Sequence, residues 1–246
     1  MLGDLFIIQY IAHFLADFTF QPQKWCDRKN TRSVTKEHIY HGLIVFGLSY
    51  LAFLVYTFST GISKQGILYA SATIAVIHFL ADMLKSHLLK RKKTIKFLFF
   101  ADQAFHLLVI FIVVSFLESY RSNIADTISH PQILFFLLSL LLCTKPANVF
   151  IKNVMEIYNI KASNTKRDNE LPDAGKLIGI IERILSFILI AFGHYDVVGF
   201  IIAAKSVLRF RADDTAKTEY LLIGSLLSFG IAILLGIIYH NINILI

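Results

Sequence analysis

The chain has 246 residues, 56% of them hydrophobic and only 17% charged, with 22 Phe and a mean hydropathy of +0.62. That balance excludes an ordinary soluble domain and points to a polytopic membrane protein, because apolar runs of roughly 18 to 25 residues recur at the length needed to cross a bilayer. The net charge of +7 does not read as a nucleic-acid footprint: most of the 24 Lys and Arg fall in four connections, near 24–36, 85–96, 152–176 and 205–217, on alternate turns of the chain. By the positive-inside bias those turns face the cytoplasm.

Taken in order, the first predicted helix runs from Leu2 to Phe20 and stops at Gln21-Pro22-Gln23. No basic start precedes it, so it is expected to be a mature helix and not a cleaved leader. A polar loop follows, then a helix from Glu37 to Phe58, a short outer turn at Gly61 to Gln65, and a helix from Gly66 to Leu89 that ends in Lys90-Arg91-Lys92-Lys93. The fourth helix spans Ile95 to Leu117, and Glu118 to Pro131 is a moderately polar outer segment. Helix five, Gln132 to Met155, contains Lys145-Pro146 and should kink there, since proline removes a backbone donor and crowds the preceding turn. After the polar stretch Glu156 to Asp173 come helix six (Ala174 to Phe192), a turn at Gly193 to Asp196, a short helix seven (Val197 to Phe210) and helix eight (Tyr220 to His240). The expected fold is all-α, a transmembrane bundle of about eight helices. It divides into 1–120 and 132–246. Cys26 and Cys143 set no disulfide framework, and Cys26 sits in a turn expected to face a reducing compartment.

One repetition dominates the first half. His13-Phe14-Leu15-Ala16-Asp17 recurs letter for letter as His78-Phe79-Leu80-Ala81-Asp82. Each copy is followed at the same distance by an acid and a histidine four apart, Glu37 and His41 after the first, Asp102 and His106 after the second. An offset of 65 maps 13 to 78, 17 to 82, 37 to 102 and 41 to 106, so residues 1–60 and 66–120 read as a duplicated helical hairpin. Positions i and i+4 share a helix face, so each pair offers two groups to one point. An ionisable group inside a span costs about 2.5–3.5 kcal/mol unless it finds a partner. Eight such positions, all near the inner ends of their helices, therefore need an explanation.

Imidazole with carboxylate is a ligand set for divalent metal, Zn²⁺ or Mn²⁺ before Mg²⁺, with one or two ions held by His13, Asp17, His41, His78, Asp82, Asp102 and His106. Glu37 is the candidate general base. The same pairs also suit structural hydrogen-bond staples between helices, and His38 and His87 fit hydrogen-bonded or rim positions. The second half carries Glu182-Arg183 mid-span and Lys205 with Arg209 four apart; Arg183, Lys205 and Arg209 are the candidate residues for an anionic substrate.

Three functions are compatible with this pattern. The first is a membrane-embedded, metal-dependent hydrolase acting on an anionic lipid or phosphoester near the cytoplasmic leaflet, with membrane lipids as partners and no nucleic acid. The others are a metal-ion or proton-coupled transporter and a non-catalytic assembly partner. The transporter reading fits less well because the outer halves of these helices are almost wholly apolar.

The segments Ala12 to Asp17, Ala101-Asp102-Gln103 with His106, Gly175 to Arg183, Ala204-Lys205-Ser206 with Arg209-Phe210, and Glu219 to Gly224 resemble a bacterial membrane family known only as a domain of unknown function, DUF3307. The resemblance implies a multi-pass protein of the bacterial inner membrane and no particular activity. A looser likeness, of pattern alone, is to bacterial membrane proteins regarded as metal-dependent hydrolases.

Overall fold

The computed structural model describes residues 2–31, 34–57, 62–91, 96–119, 131–160, 174–209 and 215–245. The Lys92-Lys93 end of the basic run, most of the outer segment after Glu118, the polar stretch around Lys166-Arg167 and the side chain of Arg209 lie outside that description. Every described element is helical. The chain forms two compact units, residues 1–134 and 135–246.

The first unit holds α1 (Leu2–Phe14), a π-helical turn (Leu15–Thr19), α2 (Gln23–Thr31), α3 (Lys36–Thr57), α4 (Lys64–Arg91) and α5 (Leu98–Ser119). Helix α1 packs on α3, α3 on α4, α4 on α5, and α5 back on α1, which closes a four-helix ring. Toward one end the ring is filled by Leu5, Val45, Phe53, Ile67, Ile110 and Val114. Gln9 and Ser49 clasp α1 to α3: Gln9 Nε2 donates to the Ser49 carbonyl at 3.0 Å and Ser49 Oγ donates back to Gln9 Oε1 at 2.9 Å. Such paired polar side chains hold helices together where lipid removes the hydrophobic drive to associate.

The polar loop expected after Pro22 contains a helix. Pro22 supplies a carbonyl that accepts from both Trp25 and Cys26 N–H, Gln23 bonds Asp27 one turn on at 3.0 Å, and Trp25 rests on Tyr40 of α3 at 5.9 Å between ring centroids. With so few apolar residues, α2 has little helix signal of its own; its packing on α3 and α4 supplies the rest.

The second unit contains α6 (Pro131–Leu142) from its second turn onward, α7 (Lys145–Ile157), α8 (Ala174–Ala191), α9 (Tyr195–Arg209) and α10 (Thr215–Leu245). The kink expected at Lys145-Pro146 is a break at Cys143-Thr144 with a 50° bend, Pro146 lying in the first turn of α7 where its missing N–H costs nothing. Helix α10 is the spine, packed on α8 and α7. Gly236 lies so close to Ile190 that an added Cβ would come within 2.6 Å of it. Helix α8 ends at Gly193, φ 82°, where Gly193 N–H returns to Ile190 O and His194 N–H to Leu189 O; this paired cap requires the left-handed conformation that glycine adopts freely.

The protein is a membrane protein by its helices. Among the described residues α3, α4, α5 and α10 are each long and apolar enough to cross a bilayer, and α6 with α7 qualifies as one bent span. Only 22 to 39% of each of those four spans is buried, so most of their apolar surface faces outward, as a lipid solvent permits. Helix α9, at about 22 Å, is shorter than the hydrocarbon core.

Candidate metal centre

Seven of the eight repeat-mapped residues converge inside the α1–α3–α4–α5 ring. His13, His41, His78 and His106 are each no more than 4% exposed, and Asp82 and Asp102 are 7% and 8% exposed. The rings of His13 and His78, equivalent in the two copies, lie 5.6 Å apart edge-on. His78 and His106 stack at 3.9 Å with 18° between planes.

At the middle are three ligand atoms. His41 Nε2 is 3.0 Å from His78 Nε2, 3.2 Å from Asp17 Oδ1, and His78 Nε2 is 3.4 Å from the same oxygen. Four ligands at bond lengths near 2.0–2.1 Å around a tetrahedral ion are about 3.3 Å apart, so these edges match one face of such a tetrahedron. Asp17 Oδ1 is buried and meets no hydrogen-bond geometry despite the short approaches. Asp82 Oδ2 lies 3.8 Å from His41 Nε2, and the groups His13/Asp17/His78, His41/His78/Asp82 and Asp82/Asp102/His106 each place one atom per residue within 4.8 Å of the others.

Asp17 reaches this point from the π-helical turn. Phe20 N–H bonds Leu15 O, five residues back, at 2.9 Å, and the extra residue per turn re-aims the side chains after Phe14. His13 stays 3.9 Å from Asp17 Oδ2. Gln103 of α5, part of the Ala101-Asp102-Gln103 motif but given no role from the sequence, bridges them: its Nε2 donates to Asp17 Oδ2 at 3.1 Å and its Oε1 lies 3.4 Å from His13 Nε2.

Two lysines also enter. Lys29 of α2, 5% exposed, pairs with Asp82. Lys85 of α4 pairs with Asp102 at 2.6 Å, while Asp102 Oδ1 lies 3.4 Å from His106 Nε2. Lys85 had a local signal, one turn beyond Asp82 on the same helix. Lys29 had none.

Glu37 departs from the expected set. Arg28 Nη1 donates to its Oε1 at 2.9 Å, and it is absent from the convergent groups among the described residues. Because α2 is a helix, Arg28 is presented to the first turn of α3, where an acid is favoured by the helix dipole. His38 is pinned by Thr35 and by Ser86 Oγ at 3.0 Å, and His87 is exposed.

Two of the three basic residues expected to hold an anion, Arg183 and Lys205, have other partners in the second unit, and the side chain of Arg209 lies outside the described residues. Arg183 is 1% exposed and spends its donors on the break between α6 and α7: Nε to Cys143 O at 2.7 Å, Nη2 to Thr144 O at 3.4 Å and to Asn148 Oδ1 at 2.6 Å, and Nη1 to Ser228 Oγ at 2.9 Å. It caps carbonyls that the bend leaves without helical partners. Lys205 pairs with Glu182 and lies 5.3 Å from the centre of the Phe229 ring.

Residues 5–136 match the model of a family described as a protein of unknown function, DUF3307. That span contains every member of the histidine–aspartate cluster. No curated protein and no solved structure matches the chain.

Proposed function

We propose that this chain, which belongs to the DUF3307 family, is a membrane-embedded metal-dependent hydrolase of the bacterial inner membrane, with its basic connections cytoplasmic. The observation that carries the reading is the triangle of His41 Nε2, His78 Nε2 and Asp17 Oδ1, with edges of 3.0, 3.2 and 3.4 Å. Two imidazoles and a carboxylate with no hydrogen bond to the shared oxygen are an expensive arrangement inside a membrane helix ring unless a cation joins them.

Zn²⁺ or Mn²⁺ fits the donors, with Asp82 as a fourth ligand. A bound ion would lower the pKa of its water toward about 7 and polarise a phosphoryl or carbonyl oxygen. His106, oriented by Asp102 and stacked on His78, takes the general-base role in place of Glu37. Basic residues crowd the ends of these helices, in α2 and near Lys85 and Lys96, which supports a site near the cytoplasmic leaflet.

Elemental analysis of the purified full-length chain tests this. Wild type should hold about one Zn²⁺ or Mn²⁺ per chain and Asp17→Ala almost none, with hydrolysis of a phospholipid substrate lost in parallel. Wild-type protein that takes up no metal from either salt would end the reading. Metal-dependent flux in proteoliposomes without hydrolysis would assign the same site to transport.

A further inference from the structure

Helices α4 and α5 leave a groove of about 400 Å³ along their shared edge, walled by Leu80, Leu84, Leu98 and Phe105. Leu80, Leu84 and Phe105 are 55%, 60% and 44% exposed. Both helices are membrane-spanning in length and composition, so this groove opens toward acyl chains. Its lining is apolar except at Lys85 and Asp102. The carboxylate of that pair is 4% exposed and the lysine side chain 28%, so the lysine is the more exposed member of the pair along the groove. A lysine ammonium has three N–H donors. Asp102 takes one, and among the described residues no other hydrogen-bond acceptor for Lys85 is found.

From these features we infer that the α4–α5 groove seats one chain of a phosphate-bearing glycerolipid, with its phosphate on Lys85 and its ester region beside Asp102. The inference rests on the hydrolase reading and names its substrate class, because Asp102 converges with Asp82, the proposed fourth ligand, and with His106, the proposed base. Charge balance supports an anion. Asp17, Asp82 and Asp102 carry three negative charges against two on Lys29 and Lys85. With the four histidines taken as neutral, a divalent ion would leave the cluster about one negative charge short, and a buried unbalanced charge is costly. Lateral entry also suits the geometry, since a lipid in this groove would keep its tail in hydrocarbon while its head lies beside Lys85 and Asp102. The other end of the same helix pair makes an instructive contrast. A larger cleft of about 840 Å³ near Ser63, Tyr69 and Phe116 has no ionisable carboxylate, ammonium or imidazole in its lining, and no such occupant follows there.

The test uses full-length protein in mixed micelles with a photoactivatable phosphatidic acid, compared with diacylglycerol carrying the same chains. Cross-links mapped by mass spectrometry should concentrate on residues of α4 and α5 that line the groove, with at least a tenfold preference for phosphatidic acid. Leu84→Trp, which fills the groove from an exposed position, should cut labelling about tenfold, while Leu108→Trp on the outer face of α5 should not. Lys85→Gln should abolish the headgroup preference and Lys85→Arg should restore it. Labelling spread evenly over lipid-facing helices, an unchanged preference in Lys85→Gln, or displacement of the lipid by inorganic phosphate at the same concentration would overturn the proposal. Metal content of the same samples separates the two readings. Lipid mapped to the groove of metal-free protein keeps the groove and retires the hydrolase, and metal without lipid preference retires the groove alone.

Discussion

The two copies of His-Phe-Leu-Ala-Asp have the same five residues and opposite electrostatic surroundings. Asp82 sits in an unbroken stretch of α4 and is met by a lysine from α2. Asp17 sits in a π-helical turn, is approached by His13, His41 and His78 within 3.9 Å, and among the described residues has no lysine or arginine in ion-pair range. The acids four residues before the second histidines differ too: Asp102 is paired with Lys85, whereas Glu37, at the matching position, is paired with Arg28 outside the cluster. The repeated motif offers a symmetric set of donors, and α2 and the π turn make their surroundings asymmetric. One side is compensated by built-in cations. The other leaves a carboxylate among imidazole nitrogens without a lysine or arginine, the condition under which a bound metal gains most.

Substitution at the two equivalent aspartates is the strongest way to break this contrast. Asp17→Asn should lower Zn²⁺ affinity at least about 100-fold, since it removes the charge at the uncompensated face. Asp82→Asn should cost about tenfold, because Lys29 already offsets that carboxylate. Competition titration with a chromophoric chelator reads both. Equal losses would mean that the copies are functionally equivalent.

Removing Lys29 comes next in size. Lys29→Met leaves Asp82 buried without its cation, so metal-free protein should lose about 3–5 kcal/mol of stability. Added Zn²⁺ should restore most of the melting temperature, and Zn²⁺ affinity should rise. A melting temperature that falls equally with and without Zn²⁺ would show that the ion never takes over at Asp82.

Gln103→Leu sharpens the picture on the Asp17 side. The amide holds Asp17 Oδ2 at 3.1 Å, and loss of an outer partner of a ligand typically costs 10–100-fold in metal affinity. About tenfold is expected here, measured by the same titration. An unchanged affinity would leave the π turn alone as the device that aims Asp17.

Glu37→Gln should have the smallest effect. Its partner Arg28 has a 61% exposed side chain, so water screens the pair from that side, and it lies outside the convergent donor groups among the described residues. Metal content and turnover should match wild type within about twofold. A large loss of turnover with metal retained would return Glu37 to the reaction.

Much of the fold was legible because its signals are local. Apolar length marks spans, Pro146 marks the break, and Gly193 marks the end of α8. The repeat of His/acid pairs picked out seven of the residues that meet in the ring, since a period of four fixes a helix face whatever surrounds it. Helix α2 was missed because nine polar-rich residues form a helix only when packed against others.

What the sequence by itself determined, then, is a helical membrane protein with a duplicated set of histidines and carboxylates on inward faces. Tertiary structure alone decided which charges meet. Lys29 reaches Asp82 across 53 positions, and Gln103 reaches Asp17 across 86. Arg183, which looked like an anion anchor, instead satisfies carbonyls at a bend 40 residues away. Hydropathy and periodicity specify how a helix faces its surroundings. They carry no record of which distant partner will neutralise a buried charge, because that choice is made by the close approach of helices that sequence neighbours do not share.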